Sequence, residues 1–192
     1  MKKALLIIDV QNDYFAGGKY ELVHPDEALN MIKRLLRSFR AENLPVFYVQ
    51  HLSDSNANFF IPETLGSCIH DAITPLENEK IIVKNYPNSF YKTDLQKELS
   101  DAGITDLVIC GMMTHMCVDT TVRAAKDYGY HVTLLSDTCA AKDLNWNGSV
   151  LSADTVHNVY MASLNEKFAD VMTSEEYYNM YTCLLYTSPS PR

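Results

Sequence analysis

Short apolar runs alternate with amphipathic stretches along this chain. Ala4 to Val10 (ALLIIDV) is too short for a helix and rich in branched residues, which predicts a buried strand. From Pro25 to Glu42, Ala28, Leu29, Ile32, Leu35, Leu36 and Phe39 recur at three- and four-residue spacing, with Lys33, Arg34, Arg37 and Arg40 between them. That spacing predicts an amphipathic helix. Pro45 to Gln50 reads as a second strand and Ile81 to Lys84 as a short third. A helix follows over Thr93 to Ala102, ended by Gly103. Asp106 to Gly111 is the fourth strand, Cys117 to Tyr128 a helix ended by Gly129, and His131 to Ser136 the fifth strand. Ser149 to Lys167 reads as one helix with its cap near Ser149. Ala169 to Met172 reads as a short last strand, and a helix then starts at Ser174 with Glu175 and Glu176 in its first turn.

Strands that alternate with helices predict right-handed crossovers and a mostly parallel sheet covered on both faces, a doubly wound, Rossmann-like α/β fold. The 192 residues, 47% of them hydrophobic, suffice for one core, and a single domain is expected over residues 1–182. Leu52 to Asn78 carries Pro62, Gly66 and Pro75 without periodicity. Long irregular segments of compact domains are often functional, so it is expected to border the active site. The last ten residues, Cys183 to Arg192, break with the helical pattern before them. They resemble translated sequencing-adapter DNA and are set aside from fold reasoning as a non-native tail at 183–192.

Charge narrows the function classes. The net charge of −8 and the absence of a basic cluster argue against nucleic-acid binding, which needs Lys and Arg against phosphates. The first apolar run is interrupted by Asp9 and is too short for a signal peptide or a membrane span. Cys68, Cys110, Cys117, Cys139 and Cys183 form no C-x-x-C pair, so no zinc ribbon or thioredoxin motif is suggested. Free thiols in a reducing cytoplasm are the expected state.

Ligands of open parallel sheets sit beyond the carboxyl ends of the strands. Asp9 ends the first predicted strand, Lys84 ends the third, and Gly111 to Cys117 leads from the fourth into a helix. A thiol of ordinary pKa, about 8.5, is mostly protonated at neutral pH, and a helix N-terminus or a neighbouring ammonium stabilises its thiolate. Asp9 could take the thiol proton and later return it to a leaving amine, while Lys84 holds both groups electrostatically. Each residue alone also fits a duller role: Asp9 as a cap, Lys84 as a solvated cation, Cys117 as small core filler. A haloacid-dehalogenase phosphatase would want a second Asp where Gln11 stands, and no phosphate-cradling Gly-rich loop appears.

Three segments carry a resemblance. Ile7-Ile8-Asp9-Val10-Gln11-Asn12-Asp13, then Ile82-Val83-Lys84 with Ser89-Phe90, then Gly111-Met-Met-Thr114-His-Met-Cys117-Val118 with Thr121, Ala124 and Ala125 resemble, in order and spacing, the motifs of isochorismatase-like cysteine hydrolases. Ser136 to Ala140 resembles the strand that follows them. The resemblance runs from Lys2 to about Tyr178. It implies Asp9, Lys84 and Cys117 as a catalytic triad, a cis peptide between Met112 and Met113, and an oxyanion hole made by the backbone N–H groups of Met113 and Cys117. It also implies an oligomeric protein, a homodimer or homotetramer, without a cofactor.

One departure matters. The nicotinamidase branch has an Asp-x-His metal motif after its second strand, and here Val49 stands at the Asp position of Val49-Gln50-His51. No metal site is therefore expected, and the chain is more similar to the metal-free amidase members, including streptothricin-hydrolase-like enzymes. His51 either lines the pocket or caps the strand. His115 and Phe90 are further pocket candidates, with Phe15 beside them. His70 is expected on the surface and His157 in a structural role. The expected activity is hydrolysis of a C–N bond in a small amide or lactam through an acyl-enzyme on Cys117. The alternatives are vinyl-ether hydrolysis of the isochorismatase type and a noncatalytic scaffold that binds a partner.

Overall fold

A computed structural model describes residues 2–187, with side chains described through residue 180. Six strands form the central sheet: β1 (Lys3–Ile8), β2 (Val46–His51), β3 (Lys80–Lys84), β4 (Asp106–Met112), β5 (His131–Ala140) and β8 (Asp170–Met172). Their order is β3-β2-β1-β4-β5-β8, and every pairing is parallel. The helices are α1 (Pro25–Ala41), α2 (Leu95–Asp101), α3 (Asp119–Asp127), α4 (Ala153–Leu164) and α5 (Ser174–Thr187).

Burial on both faces explains why β1 reads as an uninterrupted apolar run. Successive strand side chains point to opposite faces. Leu5 and Ile7 pack with Ile32, Leu35, Leu36 and Phe39 of α1. Ala4, Leu6 and Ile8 pack with Leu95 and Leu99 of α2, Val122 and Ala125 of α3, and Met161 and Leu164 of α4. Burying each large aliphatic side chain contributes about 1.5–3 kcal/mol, so the two cores hold the sheet edges in fixed register. The order turns at β1 and β4: the chain winds outward to β2 and β3, then returns to the centre and continues the other way. The carboxyl ends of β1 and β4 flank that switch point, where ligands of such sheets bind.

The structure corrects the reading of residues 144–167. The single helix expected from Ser149 is a hairpin, β6 (Leu144–Trp146) and β7 (Ser149–Leu151), followed by α4. The cap is Ser152, whose hydroxyl accepts from the Thr155 N–H at 3.2 Å. The turn residues Asn147 and Gly148 both have positive φ, as a two-residue hairpin turn demands. Two further differences fall at ends. β5 runs on to Ala140 through a register irregularity opposite β4. Helix α5 continues through Thr187, past the expected break at Cys183, while tail residues 188–192 lie outside the described residues.

Candidate active site

Gly111 places β4 against β1. Its φ is +127°, and a Cβ there would lie 2.1 Å from the Ile8 carbonyl oxygen. Only glycine admits that approach, which sets Asp9 beside the turn leaving β4. That turn differs from the expected helix start. Thr114–Val118 forms one π-helical turn, and α3 begins at Asp119, so Cys117 sits inside the tight turn. The Met113 carbonyl closes it by accepting from the N–H groups of Met116 and Val118 at 3.1 and 3.2 Å. The Met112–Met113 peptide is cis.

The sheet brings Asp9, Lys84 and Cys117 together. Lys84 Nζ lies 2.7 Å from Asp9 Oδ2 and donates to Cys117 Sγ at 3.3 Å. Both charged side chains are fully buried, and Cys117 is 5% exposed. Lys84 also donates to the Tyr86 carbonyl at 3.0 Å and meets His51 Nδ1 at 2.9 Å. Asp9 Oδ1 has no hydrogen-bond partner among the described residues.

The electrostatics differ from the expected stabilised thiolate. Burial, and then the Asp9 charge, push the Cys117 thiol well above its ordinary value, against the opposing pull of Lys84. Burial lowers Lys84, but Asp9 and Cys117 outweigh it, so the ammonium is held. Burial and Lys84 push His51 down to about 4, although Asp9 opposes the shift, so the imidazole is neutral at pH 7. With Lys84 charged, its proton serves as the donor and His51 Nδ1 as the acceptor of their contact.

Asp9, His51 and Cys117 offer three ligand atoms within 4.8 Å of one another. The Lys84 ammonium approaches all three residues, at 2.7 Å from Asp9 Oδ2, 2.9 Å from His51 Nδ1 and 3.3 Å from Cys117 Sγ. A dication there would have to displace or repel that charge, so the donor set fits an ammonium better than a metal.

The other candidates divide. His51 joins the cluster, with its ring 5.9 Å from that of Phe60. His115 is buried and packs toward Tyr160 at 6.1 Å, and its Nδ1 has no partner among the described residues. Phe15 packs on His70 at 4.5 Å within the α1 core. Phe90 packs on Tyr128 and Tyr130 at 5.0 and 6.1 Å. Phe90 belongs to the same buried cluster as Cys117. His157 accepts from or donates to Thr114 Oγ1 at 2.9 Å and so braces the turn that carries Cys117. The cleft it lines, about 520 Å³ between α1, the end of β5 and α4, does not include Cys117.

Sequence reasoning missed two supports. Gln11 is fully buried; its amide accepts from the His51 N–H and donates to the His51 carbonyl, both at 2.8 Å, and donates again to Ser67 O at 2.8 Å. Asp13 is buried and accepts from the Phe60 N–H at 2.7 Å. These bonds tie the segment of residues 52–78 to the site. A polar residue two and four positions after a strand-end Asp, inside an otherwise apolar stretch, was the available signal.

An α/β sheet with an acid, an ammonium and a thiol gathered at its switch point defines a class of hydrolase-like folds. The chain belongs to the isochorismatase family: the isochorismatase domain model matches residues 3–176. It is 46% identical over 92% of its length to the isochorismatase family protein YddQ of Bacillus subtilis (strain 168), covering 99% of that protein. The crystal structure of an isochorismatase from Pseudomonas putida KT2440 superposes with a TM-score of 0.86 at 38% identity, covering 91% of this chain and 89% of that one. A streptothricin hydrolase of Streptomyces noursei is 34% identical over 74% of this chain and 56% of its own length.

Proposed function

We propose that the protein is a cysteine-dependent hydrolase that cleaves a C–N bond of a small amide or lactam. The observation that carries this reading is the buried Lys84 ammonium shared between Asp9 Oδ2 at 2.7 Å and Cys117 Sγ at 3.3 Å. The similarity to a streptothricin hydrolase supports an amide-type bond.

The resting nucleophile is the thiol, because burial and Asp9 disfavour its charge. As Cys117 Sγ attacks the carbonyl carbon, Asp9 takes the thiol proton, and Lys84 compensates the negative charge as it moves from carboxylate to sulfur. The tetrahedral oxyanion is received by the backbone N–H groups of Met113 and Cys117, a stabilisation of about 3–4 kcal/mol per donor in comparable sites. Asp9 then protonates the departing nitrogen, the C–N bond breaks, and an acyl thioester remains. Water attacks the thioester and its proton passes to Asp9; the C–S bond then breaks, the carboxylic acid leaves, and the expelled Cys117 thiolate takes that proton back from Asp9 to become the thiol. His51, neutral beside Lys84, fills the pocket wall without adding charge. The free thiols of Cys68, Cys110, Cys117 and Cys139 fit a reducing compartment, and we place the enzyme in the cytoplasm.

The test is release of ammonia or amine from a panel of small amides and lactams by wild type and Cys117→Ala, each with excess chelator. Turnover by wild type alone, undiminished by chelator, is the expected result. Turnover surviving Cys117→Ala would remove the covalent mechanism. Loss in chelator with rescue by zinc would overturn the metal-free chemistry.

A further inference from the structure

Lys142 stands two residues past Ala140, the partner of Met112 at the carboxyl end of β5. It is therefore on the same rim of the sheet as Asp9, Lys84 and the nucleophile turn. Its backbone is pinned: Ala141, beside it, is buried and bridges Val23, whose N–H donates to the Ala141 carbonyl at 3.1 Å. Its Nζ lies 3.9 Å from the centre of the Tyr20 ring. Tyr20 stacks on Phe59 at 4.3 Å, Phe59 packs on Phe60 at 4.8 Å, and Phe60 on His51 at 5.9 Å. The aromatic wall that carries Lys142 is thus continuous with the Asp9–Lys84–His51–Cys117 cluster. Tyr14 belongs to the same wall, its ring 4.6 Å from that of Phe60. On the other side, the Lys142 charge reaches His115, two residues before Cys117, where it adds to burial in keeping the imidazole neutral.

This cation has no carboxylate of its own among the described residues. The adjacent Asp143 is engaged elsewhere, its Oδ1 accepting from the Ala153 N–H at the start of α4 at 2.7 Å. Lys84, by contrast, is paired with Asp9, and Lys92, 5.2 and 5.3 Å from the Tyr86 and Tyr91 rings, stands in the segment after the edge strand β3. In a chain of net charge −8, Lys142 is a partly buried ammonium held on an aromatic face, and an anionic group at this rim of the sheet can pair with it. The face of the ring fixes the ammonium's position without neutralising it.

We propose that Lys142 is a specificity-determining residue that receives a carboxylate of the substrate. The amide or lactam cleaved at Cys117 then carries a free acid group, as a dicarboxylic monoamide or an acylated amino acid does. This rests on the hydrolase reading above for the reaction, but the recognition of the acid does not require turnover.

The experiment separates the two. Succinamate and glutaramate, with the neutral butyramide and valeramide as matched probes, are titrated calorimetrically into the Cys117→Ala protein and into the same protein carrying Lys142→Met or Lys142→Arg. At least one carboxylate is expected to bind ten-fold or more tightly than its neutral partner. Lys142→Met brings the pair to parity, Lys142→Arg retains most of the preference, and raised salt weakens it in proportion. Equal binding of acid and neutral probes, binding of neither acid, or a preference that survives Lys142→Met overturns the assignment. A preference that holds while wild type hydrolyses none of the amides would leave the acid site standing and remove the hydrolase reading instead.

Discussion

Two acid–base pairs in this molecule use similar chemistry to different ends. Arg40 of α1 and Glu79, just before β3, form a bidentate pair at 2.8 and 2.7 Å at the amino end of the sheet. Arg40 also donates to Tyr48 Oη at 3.1 Å and Thr74 O at 2.9 Å, and Glu79 accepts from the Leu76 N–H at 2.8 Å. Burial alone would raise the Glu79 carboxyl, but the Arg40 and Leu76 hydrogen bonds hold it below its usual range. At the carboxyl end, Asp9 and Lys84 are fully buried, and Asp9 Oδ1 lacks a partner among the described residues. The first pair is partly buried and fully hydrogen-bonded, so it ties α1 to the loop before β3. The second leaves one carboxylate oxygen without a partner among the described residues and shares its ammonium with a thiol, the arrangement on which the proposed proton transfer rests. Completeness of hydrogen bonding, more than the identity of the charges, separates a brace from a candidate catalytic group.

The strongest way to break this contrast is to remove one member of the buried pair. Asp9→Ala leaves Lys84 uncompensated and is expected to cost about 3–5 kcal/mol of stability, read from denaturant unfolding, together with all turnover. Asp9→Asn keeps the shape, and its expected loss is mainly in kcat, by about a hundred-fold or more. Unchanged turnover in Asp9→Asn would deny Asp9 its proton-transfer role. Gly111→Ala, which drives a methyl group against the Ile8 carbonyl at a positive φ, should destabilise by at least about 2 kcal/mol. A soluble variant of wild-type stability would show that the β1–β4 contact yields freely.

At the saturated end, Arg40→Met should cost on the order of 2 kcal/mol, because Glu79 keeps its Leu76 bond but loses its charged donor. Hydrolysis measured in the same variant should stay within about two-fold of wild type, and a larger loss would join the two regions functionally. The smallest expected effect is in pH. His51 is pushed down to about 4 by burial and Lys84, so the unfolded chain binds the proton more readily than the folded one. Its contribution to stability is complete above the ordinary histidine value near 6.5 and is lost as the pH falls toward 4. A thermal melt series should show Tm falling through that window, with a shallower fall in His51→Gln. Identical slopes would place the acid sensitivity at the other buried imidazoles, His115 and His157, which burial also lowers.

Much of the fold was legible because burial on both faces forces long apolar runs at the strands and a three-to-four spacing on α1. The hairpin at residues 144–151 was not. Leu144, Trp146, Val150 and Leu151 are partly or largely exposed, so their order encodes no buried face, and the apolar residues of α4 beyond them extended the helical pattern backward.

The sequence by itself determined the kind of sheet, the strand ends at which Asp9, Lys84 and the Cys117 turn would stand, and the family resemblance, since these depend on local period and short motifs. Tertiary structure decided the rest. Only packing removes the water from Asp9, Lys84 and Cys117, reverses the expected shift of the thiol, seats neutral His51 against Lys84 through Gln11, and lays Lys142 across Tyr20. Proton affinity and charge pairing depend on dielectric and distance between residues far apart in the chain, and no local pattern of amino acids carries either quantity.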